Sequence, residues 1–228
     1  SIQTEPGIYT DNTLRLQSIN YMNRIRAFRQ GDITVQDEIS VLQGYLVQPK
    51  AGDWIMDICA APGGKTILAA EFAGESGHVL SRDVSEYKTD LIQENLNRMN
   101  RKNVEVQVYD ATIHDAAKEE SADVVLMDVP CAGLGVMGKK RDIKYHVTRE
   151  SLQSITELQK KIVEAGWQYV KPGGVLLYST CTIHDSENRQ MAAWISENFP
   201  FVLEEERQLL PGTDETDGFY FARLRRKA

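Results

Sequence analysis

"WIMDICAAPGGKTILAAEFAGESGHVLSRD" (residues 54–83) decides the fold. Its opening apolar run, 54–58, is too short for a helix and reads as a buried strand, and 65–74, rich in alanine with isoleucine and leucine, reads as a helix after a glycine-rich turn. Residues 78–83 return to strand character. Strand, crossover helix and strand in so short a span form a βαβ unit, which makes its two strands parallel.

The same alternation continues outward. Helix-like 86–100 leads to strand-like 104–110 and 122–129, then to a long helix near 149–170, a strand at 174–180 and a helix near 185–198. The final run 219–224 alternates like an added antiparallel strand. The expected fold class is therefore α/β: a doubly wound, Rossmann-like, mostly parallel sheet with an antiparallel C-terminal strand. Upstream, 35–49 suits a short amphipathic helix stopped by Pro49. Residues 1–34 have mixed polarity and no clean period, and are expected to be the remnant of a preceding RNA-binding domain or a small N-terminal subdomain, with 35–228 the main domain.

Bulk properties narrow the function. The 228 residues are 42% hydrophobic and 26% charged, ordinary for a globular protein, and 26 basic against 33 acidic side chains give a formal charge of −7. Nucleic-acid binding by net charge alone is thereby disfavoured, so any such contact must be local. Cys59, Cys131 and Cys181 are odd in number and widely spaced, which favours neither a disulfide framework nor a structural metal. No apolar run approaches a membrane span and no signal peptide opens the chain, so a soluble, cytoplasmic protein is expected.

Doubly wound sheets bind ligands beyond the carboxyl ends of their strands, and the residues standing there are unusually reactive. They are Cys59 with its "AAPGG" loop, Asp83, Asp110, Asp128 with Cys131, and Cys181. The loop at 57–66 misses the phosphate-binding pattern G-x-x-x-x-G-K-[ST] because Cys59 occupies the first glycine position, and Pro62 removes an N–H donor from it. Instead, Gly63 and Gly64 suit close approach of the backbone to a bulky ligand, Asp83 stands where such folds bind a ribose hydroxyl pair, and Asp110 can accept from an adenine amino group. Together they describe an adenosine-containing cofactor. Each of the two strand-end thiols, Cys131 and Cys181, reads as a nucleophile or as a small buried residue, and the sequence does not rank them.

The stretches "DICAAPGGKT", "DVPCAGLGV", "RDIKY", "STCTI" with "ENRQM" behind it, and "LPGTDETDGFYFARL" resemble the motif series of the Sun-type RNA cytosine-5 methyltransferases, in order, from about residue 31 to the C-terminus. The resemblance implies S-adenosylmethionine as cofactor and a cytosine in RNA as substrate, 16S ribosomal RNA foremost and transfer RNA as the alternative. It further implies that Cys181 attacks C6 of the base, that Cys131 assists product release, and that Asp128 serves both the base and the methyl donor. The cofactor loop is carried over as Cys59, Ala60, Ala61, Pro62, Gly63, Gly64 and Lys65, with Asp83 and Asp110 beyond it. A non-catalytic ribosome-assembly factor with the same fold is the rival from a different class. Two basic clusters, Lys139, Lys140, Arg141, Lys144 and Arg149 in one loop and Arg223, Arg225, Arg226 and Lys227 at the end, can hold phosphates near the site or read as solvated charged surface, the latter favoured for the C-terminal one.

Overall fold

A computed structural model describes residues 2–16 and 21–228. Two short strands, β1 (Thr4–Pro6) and β2 (Leu14–Leu16), pair antiparallel, and a one-turn helix α1 (Arg26–Gln30) and the helix α2 (Glu38–Val47) lead into the main sheet. There β3 (Trp54–Asp57), α3 (Gly64–Ala73), β4 (His78–Asp83), α4 (Glu86–Arg98) and β5 (Val104–Val108) form the first half. β6 (Ala122–Asp128), α5 (Ile143–His146), α6 (Arg149–Gly166), β7 (Val170–Thr180), α7 (Arg189–Asn198), β8 (Phe201–Leu209) and β9 (Phe219–Arg226) complete the chain.

The strand order is β5-β4-β3-β6-β7-β9-β8, parallel throughout except for β9, which runs antiparallel to both of its neighbours. This is the expected doubly wound sheet, with its antiparallel strand one place in from the edge. The edge is β8, "FVLEEERQL", which the sequence does not announce: its middle carries three glutamates and no apolar alternation. Charge on an edge strand discourages pairing with other chains.

Period-two alternation divides the core between the sheet's faces. Met56, Leu80, Val125, Met127, Leu176 and Tyr178 face α6 and α7 through Ile162, Val163, Met191 and Ile195. Their immediate neighbours Ile55, Val79, Val124, Leu126, Val175 and Leu177 turn to the other face and meet Ile39, Val47, Ala69 and Ala73 of α2 and α3. Each aliphatic side chain buried in this way contributes about 1.5–3 kcal/mol. Burial on both faces explains why these strands read as unbroken apolar runs.

Local signals set the helix ends. The Asp37 carboxylate accepts from Ile39 N and starts α2, and Thr148 and Ser151 form a reciprocal capping box on α6. α6 ends at Gly166, short of the predicted 170, where a 3₁₀ turn (Trp167–Tyr169) takes over. α7 starts at Arg189, because a 3₁₀ turn (Asp185–Glu187) occupies the predicted first residues.

The N-terminal segment is tied to the sheet domain. Glu38 Oε1 accepts from Tyr9 N at 2.6 Å, Thr10 N at 3.1 Å and Thr13 Oγ1 at 3.0 Å. Arg98 donates to the carbonyls of Phe28 and Ile33 and stacks over the Phe28 ring. No described helix is long and apolar enough to cross a membrane.

Candidate active site

Asp57, Asp83 and Asp128 are each the last residue of a strand, β3, β4 and β6. The parallel register lines these ends up along the carboxyl edge of the sheet. After β3 the chain turns through residues 58–63 and enters α3 with Gly63 in the left-handed region, φ 102°, a conformation suited to glycine. A Cβ on Gly64 would stand 3.1 Å from the Gln36 side chain, so this glycine lets the segment before α2 close over the loop.

Between that segment and the loop lies a cleft of about 470 Å³, lined among others by Asp57, Cys59, Ala60, Ala61, Pro62, Gly64, Lys65 and Asp128. This is within the ordinary range for a small-molecule site. Two atoms of complementary kind in its wall lack partners: the acceptor Asp57 Oδ1 and the donor Gln36 Nε2 are buried without a hydrogen bond among the described residues. Burial pushes the Asp57 carboxyl up to about 7, although Thr66 Oγ1 donates to its other oxygen at 2.7 Å and Lys65 acts in the same lowering sense. Such walls suit a ligand that carries both an ammonium and a carboxylate.

Asp83 is buried, accepts hydrogen bonds from Ala61 N at 2.9 Å and Val84 N at 2.8 Å, and pairs with Lys88 Nζ at 3.0 Å. A carboxylate offers about four acceptor positions, so one remains for a hydroxyl. Asp110 lies two residues beyond β5 and is exposed; both its hydrogen bonds, from Thr112 N and Thr112 Oγ1, fall on Oδ1. Those bonds hold the carboxyl below its ordinary range. Cys59 is half-buried, and burial together with Asp57, Asp83 and Asp128 pushes its thiol up, so it stays protonated as a small packing residue.

The two remaining thiols meet. Cys131 follows β6, Cys181 follows β7, and their Sγ atoms are 3.3 Å apart. Gly135 N donates to Cys181 O at 3.1 Å, tying the two loops together, and Gly133 makes the turn between them at φ 68°. The pair is asymmetric. The hydrogen bond from Cys131 holds the Cys181 thiol below its ordinary value against burial and Asp128, with Lys65 and Lys140 acting in the same direction. Cys131 is the mirror case: its bond to Cys181 and its burial push it up, outweighing the amides of Gly133 and Cys181 that favour its thiolate. The two shifts run in opposite directions, which makes Cys181 the more acidic thiol of the pair.

Asp128 stands beside them with both oxygens accepting, Oδ2 from Lys65 Nζ at 2.7 Å and Oδ1 from Ser179 Oγ at 2.8 Å. Lys65, the lysine of the glycine loop, therefore reaches across to the thiol side of the site. Sequence reading passed over Asp57 and Ser179, whose only signal was position at a strand end or next to one, and Gln36, in the segment before α2, which carried no signal.

The two basic clusters part company. Lys140, Arg141, Lys144 and Arg149 are exposed and, among the described residues, form no ion pair, whereas Lys139 is held by Asp217 at 2.6 Å and Asp37 at 3.4 Å. The C-terminal arginines are engaged within the protein. Arg223 and Arg225 pair with Glu204, Arg226 pairs with Glu120, and Arg225 sits level with Val175, midway along β7.

A parallel sheet with β9 reversed beside β7, and a cofactor-sized cleft over the loop after β3, are the architecture of S-adenosylmethionine-dependent methyltransferases. The family model of the 16S rRNA methyltransferases RsmB/F matches residues 44–225, and the chain belongs to that family. It is 34% identical over 218 residues to ribosomal RNA small subunit methyltransferase B of Proteus mirabilis, covering 95% of this chain and 51% of that protein. The crystal structure of PH0851 superposes with a TM-score of 0.94 at 30% identity, covering 99% of this chain and 54% of that one. NSun6 from Pyrococcus horikoshii, solved with SFG, gives 0.82 at 27% identity, over 94% of this chain and 59% of that one. The chain thus spans about half the length of the curated relative it matches.

Proposed function

We propose that this chain is the catalytic part of an enzyme that methylates C5 of a cytosine in RNA, with 16S ribosomal RNA as the substrate class and a covalent Cys181 adduct as the intermediate. The carrying observation is the pair of strand-end thiols 3.3 Å apart, with Cys181 the more acidic, beside Asp128. The C5 carbon of cytosine is a weak nucleophile. Addition of the Cys181 thiolate to C6 converts the C5=C6 double bond into an enamine whose C5 can attack an electrophilic methyl group.

S-adenosylmethionine supplies that methyl group when bound. On the reading proposed here, Asp57 and Gln36 hold the two charged ends of its amino-acid part, residues 59–64 cradle it, Asp83 takes a ribose hydroxyl, and Asp110 offers Oδ2 to the adenine amine. Asp128, with both oxygens acting as acceptors, holds the exocyclic amine of the base, and Lys65 fixes the carboxylate in place. After methyl transfer the proton on C5 leaves, the C5=C6 bond re-forms and the C6–S bond breaks. Cys131, whose thiol stays protonated, is placed 3.3 Å from the departing sulfur, where its S–H stabilises the returning thiolate.

The target base must be unpaired or flipped, because a thiol cannot reach C6 inside a stacked helix. Lys140, Arg141, Lys144 and Arg149 offer local positive charge for the flanking phosphates despite the acidic total. Release of tritium from RNA labelled at cytosine C5, dependent on S-adenosylmethionine, tests the proposal. Methyl incorporation without tritium release would place the methyl group elsewhere and overturn it.

A further inference from the structure

Glu187 and Asn188 follow Cys181 at a short distance in the chain, are both fully buried, lie outside the cleft lining, and among the described residues hydrogen-bond to the neighbours of the thiols. A buried carboxylate is costly unless its hydrogen bonds are specific. Glu187 Oε2 accepts from Ala132 N at 2.9 Å and from Gln159 Nε2 at 2.9 Å, and the same Gln159 amide donates to Pro130 O at 2.9 Å. Pro130 and Ala132 are the residues on either side of Cys131.

Asn188 does the same for the other thiol. Its Oδ1 accepts from Thr180 Oγ1 at 2.6 Å, and its Nδ2 donates to Thr182 O at 3.0 Å and to Gln208 Oε1 at 2.6 Å. Thr180 and Thr182 flank Cys181. The dipeptide is itself pinned to the sheet, since Tyr178 OH donates to Glu187 O at 2.8 Å.

We propose that Glu187 and Asn188 form a two-armed brace that sets the spacing of the two thiols, Glu187 with Gln159 holding the peptides around Cys131 and Asn188 holding the residues around Cys181. They are positioning residues. Only a side chain with an acceptor and a donor in one plane serves the Asn188 arm, and the Glu187 arm rests on one acceptor oxygen, Oε2, which takes both bonds while Oε1 has no partner among the described residues. The functional consequence rests on the reading of these thiols as the catalytic pair; the geometric content does not.

Oxidation by diamide tests the brace without RNA or cofactor. Two thiols lose two protons and two electrons to the N=N bond, which becomes a hydrazine, and a disulfide between Cys131 and Cys181 forms at a rate set by their approach. Asn188→Asp and Glu187→Met, which removes the acceptor for both bonds, are expected to slow that disulfide, followed by peptide mapping, by about tenfold or more, while Gln190→Ala, beside the brace but outside it, leaves it unchanged. Folded Asn188→Asp and Glu187→Met variants that cross-link at the wild-type rate would overturn the proposal. If either variant does not fold, Gln159→Met, which removes the amide links to Pro130, Glu187 and Tyr178, carries the same test with the same overturning result.

Activity separates the two readings. Glu187→Met is expected to accumulate covalent RNA complex, and Asn188→Asp to form less of it. Slowed cross-linking together with wild-type methylation would leave the brace standing and overturn the catalytic reading of the thiols.

Discussion

Asp57→Asn tests the electrostatics of the cleft most quantitatively. The folded protein holds the Asp57 proton up to about pH 7, whereas an unfolded chain releases it near 3.8. The stability this confers is fully present below about pH 4 and is lost as pH rises through about 7, because over that window the folded state binds the proton and the unfolded state does not. The loss amounts to up to about 4 kcal/mol, equivalent to a melting temperature lower by on the order of 10 °C for a domain of this size.

Asparagine removes the titration, can still accept from Thr66, and puts an amide where the unpartnered Oδ1 stands. Thermal unfolding at pH 5, 6, 7 and 8 without ligand is the assay. The variant is expected to gain on the wild type from pH 5 to about 7 and to level off toward 8, and its affinity for S-adenosylmethionine should lose a dependence of about tenfold per pH unit below 7. Parallel stability profiles for the two proteins would refute a buried, strained carboxyl at this position.

Other outcomes follow from single contacts. Lys65→Met removes a cation that favours the Cys181 thiolate and is the ion-pair partner of Asp128, so the pH midpoint for alkylation of Cys181 should rise by about one unit. Iodoacetamide labelling read by peptide mass spectrometry measures it. Gly135→Ala would bring a Cβ to 2.0 Å from Gly218 O, where the loop of Cys131 meets the turn before β9. Denaturant unfolding should show a loss of about 2–3 kcal/mol.

What the sequence disclosed depended on the range of the interactions involved. Strands such as β3, β4, β6 and β7 are buried on both faces, so their apolar runs are visible locally, and so are the aspartates that end three of them. β8 was illegible because an edge strand with exposed glutamates carries no such run. The two thiols were recognisable as strand-end residues, but that they meet, with Sγ atoms 3.3 Å apart, needed the geometry. The brace was invisible, since Glu187 reaches Ala132 and Gln159 across long stretches of chain. The pairing of the C-terminal arginines was invisible for the same reason: clustering in sequence says nothing of Glu204 and Glu120, which engage them.

The central claim, that Cys181 attacks and Cys131 releases, is tested most directly by the covalent complex with substrate RNA in the presence of S-adenosylmethionine, resolved by denaturing electrophoresis and mapped by mass spectrometry. The account predicts that Cys131→Ala accumulates a complex linked through Cys181 and that Cys181→Ala forms none. A complex in Cys181→Ala linked through Cys131, or wild-type methylation by Cys181→Ala, would contradict it.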